Sequence, residues 1–128
     1  MMKNEIVKNI YNCLYDIYIT AKNCHWFSKS YSQHLLFDRI ADDILDHIDA
    51  FIEVTYMNAD TFVALPISSS NIAPNLEDQI ITLKTQLGLL QDLLAEIQNV
   101  FDEPVVNELN AISQDVRVKQ NLLSMLNK

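Results

Sequence analysis

One glycine and three prolines in 128 residues leave little material for tight turns. A sheet protein of this length spends more of both at its reversals, so the chain reads as a few long helices joined by short connections. Two cysteines are too few for a disulfide framework. Cys13 and Cys24 lie 11 residues apart in one expected helix, and a separation of roughly 16 Å along the axis is too long for them to bond each other. Both are read as packed, reduced thiols, with a bond between chains left open. No apolar stretch reaches the length of a signal-peptide core or a membrane span, so a cytoplasmic protein without a membrane partner is expected.

Positive charge is also scarce. Nine Lys and Arg face 17 Asp and Glu, for a net charge of -8. Such a surface repels phosphate backbones and anionic lipid, and suits metal cations. What the chain does have is hydrophobic residues, 49% of the total. At this length they fill one core, so residues 1–128 are expected to form a single domain.

Four helical stretches can be read. The first runs from about Asn4 to Ser28, with Ile6, Ile10, Leu14, Ile17 and Ala21 at helical spacing. Ser30-Tyr31-Ser32-Gln33 has the capping-box pattern and opens a second helix that continues to about Met57. Residues 58–75 form the longest connection, with Pro66, three serines and Pro74, and are expected to hold a short helix near Asp60–Leu65. Asn75 can cap a third helix from Leu76 to about Phe101, whose first turn carries Glu77 and Asp78. Asp102-Glu103-Pro104 reads as a stop and restart before a last helix to about Asn127. The fold class expected is an all-α four-helix bundle of ferritin-like topology, with a crossover link between helices two and three. Leu83, Leu87, Leu90, Leu94 and Ile97 are expected in its core.

The second helix carries two patterns. On a wheel of about 100° per residue, Phe37, Ile40, Ile44, Ile48 and Phe51 cluster as a core-facing stripe. His34, Asp38, Asp49 and Glu53 fall on another face, together with Ala41, Leu45 and Ile52, which suggests that this face is covered by something outside the bundle. His34 and Asp38 are four residues apart, as are Asp49 and Glu53, so each pair can grip one ion. The pairs are separated by 15 residues, or roughly 22 Å, and one chain cannot bring both to the same ion. Two copies packed antiparallel about a two-fold axis near Asp43–Ile44 would do so, and His25 could add a nitrogen from the His34 side. Two imidazoles and three carboxylates suit iron or manganese, and zinc less well. Spacing alone leaves a solvated acidic face equally open. His47, nearer the core side, is read as a hydrogen-bonded core or boundary residue.

His25-Trp26, followed by His34-x-x-x-Asp38 and Asp49-x-x-x-Glu53, resembles the Dps family of mini-ferritins. The match is tight over residues 22–57 and looser across the rest of the chain. The resemblance implies a homo-oligomer, at least a two-fold dimer and in the family a twelve-subunit shell. It implies a ferroxidase centre with metal ligands His25, His34 and Asp38 from one chain and Asp49 and Glu53 from its partner. Fe(II) would be oxidised there, typically by hydrogen peroxide, and stored as ferric iron. Trp26 would take up stray oxidising equivalents, or simply pack.

The chain departs from the family pattern in several places. The turn between His25 and His34 is shorter and lacks a glycine, and Val54 stands where Arg is frequent. The link at 58–75 is compressed, and the C-terminal tail is only Asn127-Lys128; Met125 and Leu126 could pack in a shell interface, which nothing in the sequence requires. Lys3 and Lys8 are the only basic residues near the N-terminus, so the DNA binding seen in tailed members is not expected. A structural assembly protein without ferroxidase activity is the alternative reading, and a DNA-binding protein comes third. A di-iron bundle with Glu-x-x-His motifs is rejected, because none of His25, His34 and His47 has Glu three residues before it.

Overall fold

Apolar residues at helical spacing wind the chain into four α-helices, and no strand forms among the described residues. The helices are α1 (Met2–Trp26), α2 (Tyr31–Tyr56), α3 (Leu76–Glu96) and α4 (Glu103–Met125). The structure is a computed structural model that describes residues 2–57, 59–67, 73–97 and 99–126. The expected end of the last helix near Asn127, and the serines at 68–70, lie outside the described residues.

Local chemistry sets the helix starts. Ser30 Oγ accepts from the Gln33 amide at 3.2 Å, while Gln33 Oε1 accepts from the Lys29 amide at 3.3 Å. The box therefore closes one residue earlier than its usual partner, and satisfies two backbone donors at the start of α2. Asn75 Oδ1 accepts from the Asp78 amide at 2.9 Å, as its position before Leu76 predicts. Asp102 precedes α4 in extended conformation without a side-chain cap bond, and Pro104 sits in the first turn, where its missing N–H costs nothing.

Each helix turns one stripe inward. Ile10, Leu14 and Ile17 of α1 are buried with Phe37, Ile40 and Ile44 of α2, Leu83, Leu87 and Leu90 of α3, and Leu109, Ile112 and Val116 of α4. α1 packs against α2 and α3, and α4 packs against the same two, so α1 and α4 face each other diagonally. Neighbours run antiparallel. α2 ends beside the start of α1, where the Tyr56 hydroxyl donates to Asn4 Oδ1. α3 begins at the opposite end, where Asn75 and Leu76 line a cleft with Asn23 and Phe27 of the α1 terminus. The end of α2 and the start of α3 therefore lie at opposite ends of the bundle, as the expected crossover requires.

The short helix expected near Asp60–Leu65 is absent; these residues are bends and irregular chain. A link that must span a bundle of roughly 35–40 Å advances only about 1.5 Å per residue as helix, against about 3.3 Å when extended. Helix α3 also stops at Glu96, before Phe101. Ile97 and Phe101 turn inward and are buried at the bundle end, with the Lys3 ammonium 5.9 Å from the Phe101 ring centre. Among the described residues no helix is long and apolar enough to cross a membrane.

Candidate metal centre

The turn at residues 27–30 joins two antiparallel helices and brings His25, in the last turn of α1, onto His34, in the first turn of α2. No non-glycine residue among those described has positive φ, so this turn forms without needing a glycine. The two imidazoles stack with ring centres 4.0 Å apart and planes inclined by 28°. Each is tied to the main chain of the other. His25 Nδ1 lies 2.9 Å from the His34 carbonyl oxygen, and His34 Nδ1 lies 3.2 Å from the His25 carbonyl oxygen. A carbonyl only accepts, so both Nδ1 atoms carry hydrogen. When neutral, both rings present an Nε2 lone pair, the form in which an imidazole binds a metal ion. Ser28 Oγ also donates to the His25 carbonyl at 3.0 Å, which steadies the reciprocal pair.

Asp38 joins them one turn along α2. Its Oδ1 lies 3.8 Å from His25 Nε2 and 3.5 Å from Lys22 Nζ. The structure thus brings together three of the five expected ligands: His25, half-buried; His34, exposed; and Asp38, half-buried. Asp49 and Glu53 are exposed further along α2 and make no side-chain hydrogen bond or ion pair with another described residue. Among the described residues, no group of three or more His, Cys, Asp or Glu side chains is placed to hold a metal ion within the single chain. His25, His34 and Asp38 are therefore neighbours without forming a metal-holding group by themselves, and the helical rise separates Asp49 and Glu53 from them by roughly 22 Å.

One neighbour on the ligand face needs correcting. Ala41 is fully buried in the bundle core rather than held for an outside surface. It lies at the border of the apolar stripe, and its small side chain is taken into the core with Phe37 and Ile40. Leu45 and Ile52 are half-buried, and Ile52 also packs against the core. Trp26 is 60% exposed, so packing within the chain does not account for it.

A second polar cluster ties α2 to α4. Lys119, fully buried, donates to Asp43 Oδ2 and to Asp115 Oδ1, both at 2.6 Å. Asp115 Oδ2 is 2.8 Å from His47 Nε2, and Glu108 Oε1 is 3.5 Å from His47 Nδ1. His47 is the boundary residue expected, and its partners were not foreseen. Burial would raise the Asp115 carboxyl, but the hydrogen bonds and charges of Lys119 and His47 outweigh it and hold it below the usual range. Sequence reasoning also missed Lys119 itself. It continues the stripe Leu109, Ile112, Val116, Leu123 at helical spacing, and a lysine at a core position four residues from an aspartate was the available signal.

Neither thiol belongs to these clusters. Burial pushes Cys13 up to about 11, helped by the charge of Asp16, and burial pushes Cys24 up to about 11. Both stay protonated and poorly nucleophilic. No family model, curated protein or solved structure matches this chain.

Proposed function

We propose that the protein is a Dps-like mini-ferritin that oxidises Fe(II) at a centre shared by two chains. The observation that carries this reading is the reciprocal His25–His34 lock. Two imidazoles held with Nδ1 on backbone carbonyls and Nε2 left for a ligand, beside a carboxylate, are donors that a divalent cation could take once a second chain completes the set. Asp49 and Glu53, exposed on the same helix and unpaired among the described residues, would supply the oxygen donors that a two-fold partner contributes.

His25 and His34 would hold Fe(II) as nitrogen donors, and the three carboxylates would favour the ferric product by adding negative charge. With hydrogen peroxide as oxidant, two Fe(II) each lose one electron. Peroxide takes up both electrons and two protons and leaves as two waters. Ferric iron would then be stored in the assembled homo-oligomer.

The test is oxidation of Fe(II) added without oxygen and then mixed with peroxide, followed by ferric absorbance. Wild type is expected to oxidise iron at least tenfold faster than Asp49→Ala/Glu53→Ala, since each lost charged ligand removes on the order of 1.5–3 kcal/mol. Equal rates would remove the ferroxidase reading and leave an assembly protein without this chemistry.

A further inference from the structure

Lys22 lies on α1 one turn before His25, and its side chain is four-fifths buried. Its ammonium approaches Asp38 Oδ1 at 3.5 Å. The same oxygen faces His25 Nε2 at 3.8 Å. Asp38 Oδ1 is thus the point where a lysine nitrogen and a free imidazole nitrogen converge. The same ammonium already lies over the Trp26 ring, with Nζ 5.7 Å from its centre, so the face of Trp26 can keep it when Asp38 is taken.

We propose that Lys22 is the resident cation of the metal-free centre, occupying Asp38 until a divalent ion displaces it toward the face of Trp26. This inference rests on the metal-centre reading above. A divalent ion held by Asp38 Oδ1 and His25 Nε2 needs the space and the charge partner that the ammonium now has. The ammonium also repels any cation approaching that oxygen. Lys22 therefore acts as a positioning residue that raises the threshold for occupancy. It keeps the half-site electrically balanced when empty and favours ions of charge two over the abundant monovalent ones. The side chain has four flexible bonds and can move without disturbing the helix.

Zinc, which is not oxidised, separates this role from the reaction. In calorimetric titrations with Zn(II), Lys22→Met and Lys22→Gln are expected to bind roughly fivefold more tightly than wild type, the gain coming from removal of a partly exposed ion pair and its repulsion. Lys22→Arg, which restores a cation at the same place, is expected to return affinity to within about twofold of wild type. A purely structural lysine would give no such rescue of weaker binding. Unchanged or weaker binding in both neutral variants, with Zn(II) binding still lost in Asp49→Ala/Glu53→Ala, would overturn the role of Lys22 and leave the centre intact. Zn(II) binding unaffected by Asp49→Ala/Glu53→Ala would remove the shared centre, and this inference with it.

Discussion

Lys119 carries an ammonium into the contact between α2 and α4, and the fold compensates it with Asp43 on one helix and Asp115 on the other. Two carboxylates on one buried cation, one of them also held by His47, make this contact specific in register, since a one-turn slip would strand the charge. Asp115 is held below the usual carboxylate range, so its ionised form is stabilised by folding. Its contribution is therefore complete above the unfolded value of about 3.9 and is lost as pH falls through the lowered folded value. Asp115→Asn is expected to be less stable than wild type at neutral pH by about 2 kcal/mol, because one charged hydrogen bond to Lys119 weakens while Asp43 remains. Thermal melts of both proteins from pH 7 downward should show the gap closing below about pH 4. A gap that widens on acidification would contradict this account. The lysine was readable from its place in the apolar stripe of α4. Its partners were not, because Asp43 lies 76 positions away in the chain, and only the packing of the helices joins them.

At the scale of the element, α2 buries one face in the bundle and carries His34, Asp38, Asp49 and Glu53 on another. Phe37, Ile40, Ile44, Ile48 and Phe51 repeat at the helical period, so both the helix and its buried face were legible. So were its start at Ser30 and the start of α3 after Asn75, because caps are local chemistry. The end of α3 was not. Apolar Ile97 and Phe101 continue the helical pattern, yet they close the bundle end as a turn, which is a tertiary demand. The Nδ1 lock of the histidines was equally hidden, since it depends on how a four-residue turn aligns two helix ends. Helix α3 also carries a local fault. Gly88 lies in its interior, and a Cβ built there meets nothing within 4 Å. Gly88→Ala is expected to stabilise the fold by about 0.5–1 kcal/mol through helix propensity and a less flexible unfolded chain. Urea unfolding should show a higher midpoint at unchanged slope. A loss of stability would mean that another surface fills that space.

For the whole molecule, the proposed function turns on how many chains assemble. Asp49 and Glu53 stand roughly 22 Å from His34 and Asp38 along one rigid helix, and no side-chain motion closes that distance. The pairs meet only if two copies of α2 lie antiparallel across an axis near Asp43–Ile44. Leu45, half-buried on the ligand face and next to that axis, would then face its own copy. Leu45→Glu places two like charges there and leaves all five ligands in place, so it separates assembly from ligand chemistry. Such juxtaposition costs several kcal/mol when buried, enough to shift a dimer toward monomers at micromolar concentration. Light scattering is expected to show wild type as a dimer or a larger even-numbered assembly, and Leu45→Glu as a smaller species. Ferric absorbance after peroxide should fall at least tenfold in the variant and recover in part at high protein concentration, as mass action requires. A variant that is monomeric and still oxidises iron at the wild-type rate would place the chemistry within one chain. A strictly monomeric wild type would exclude the shared centre, since Asp49 and Glu53 then have no route to His25 and His34.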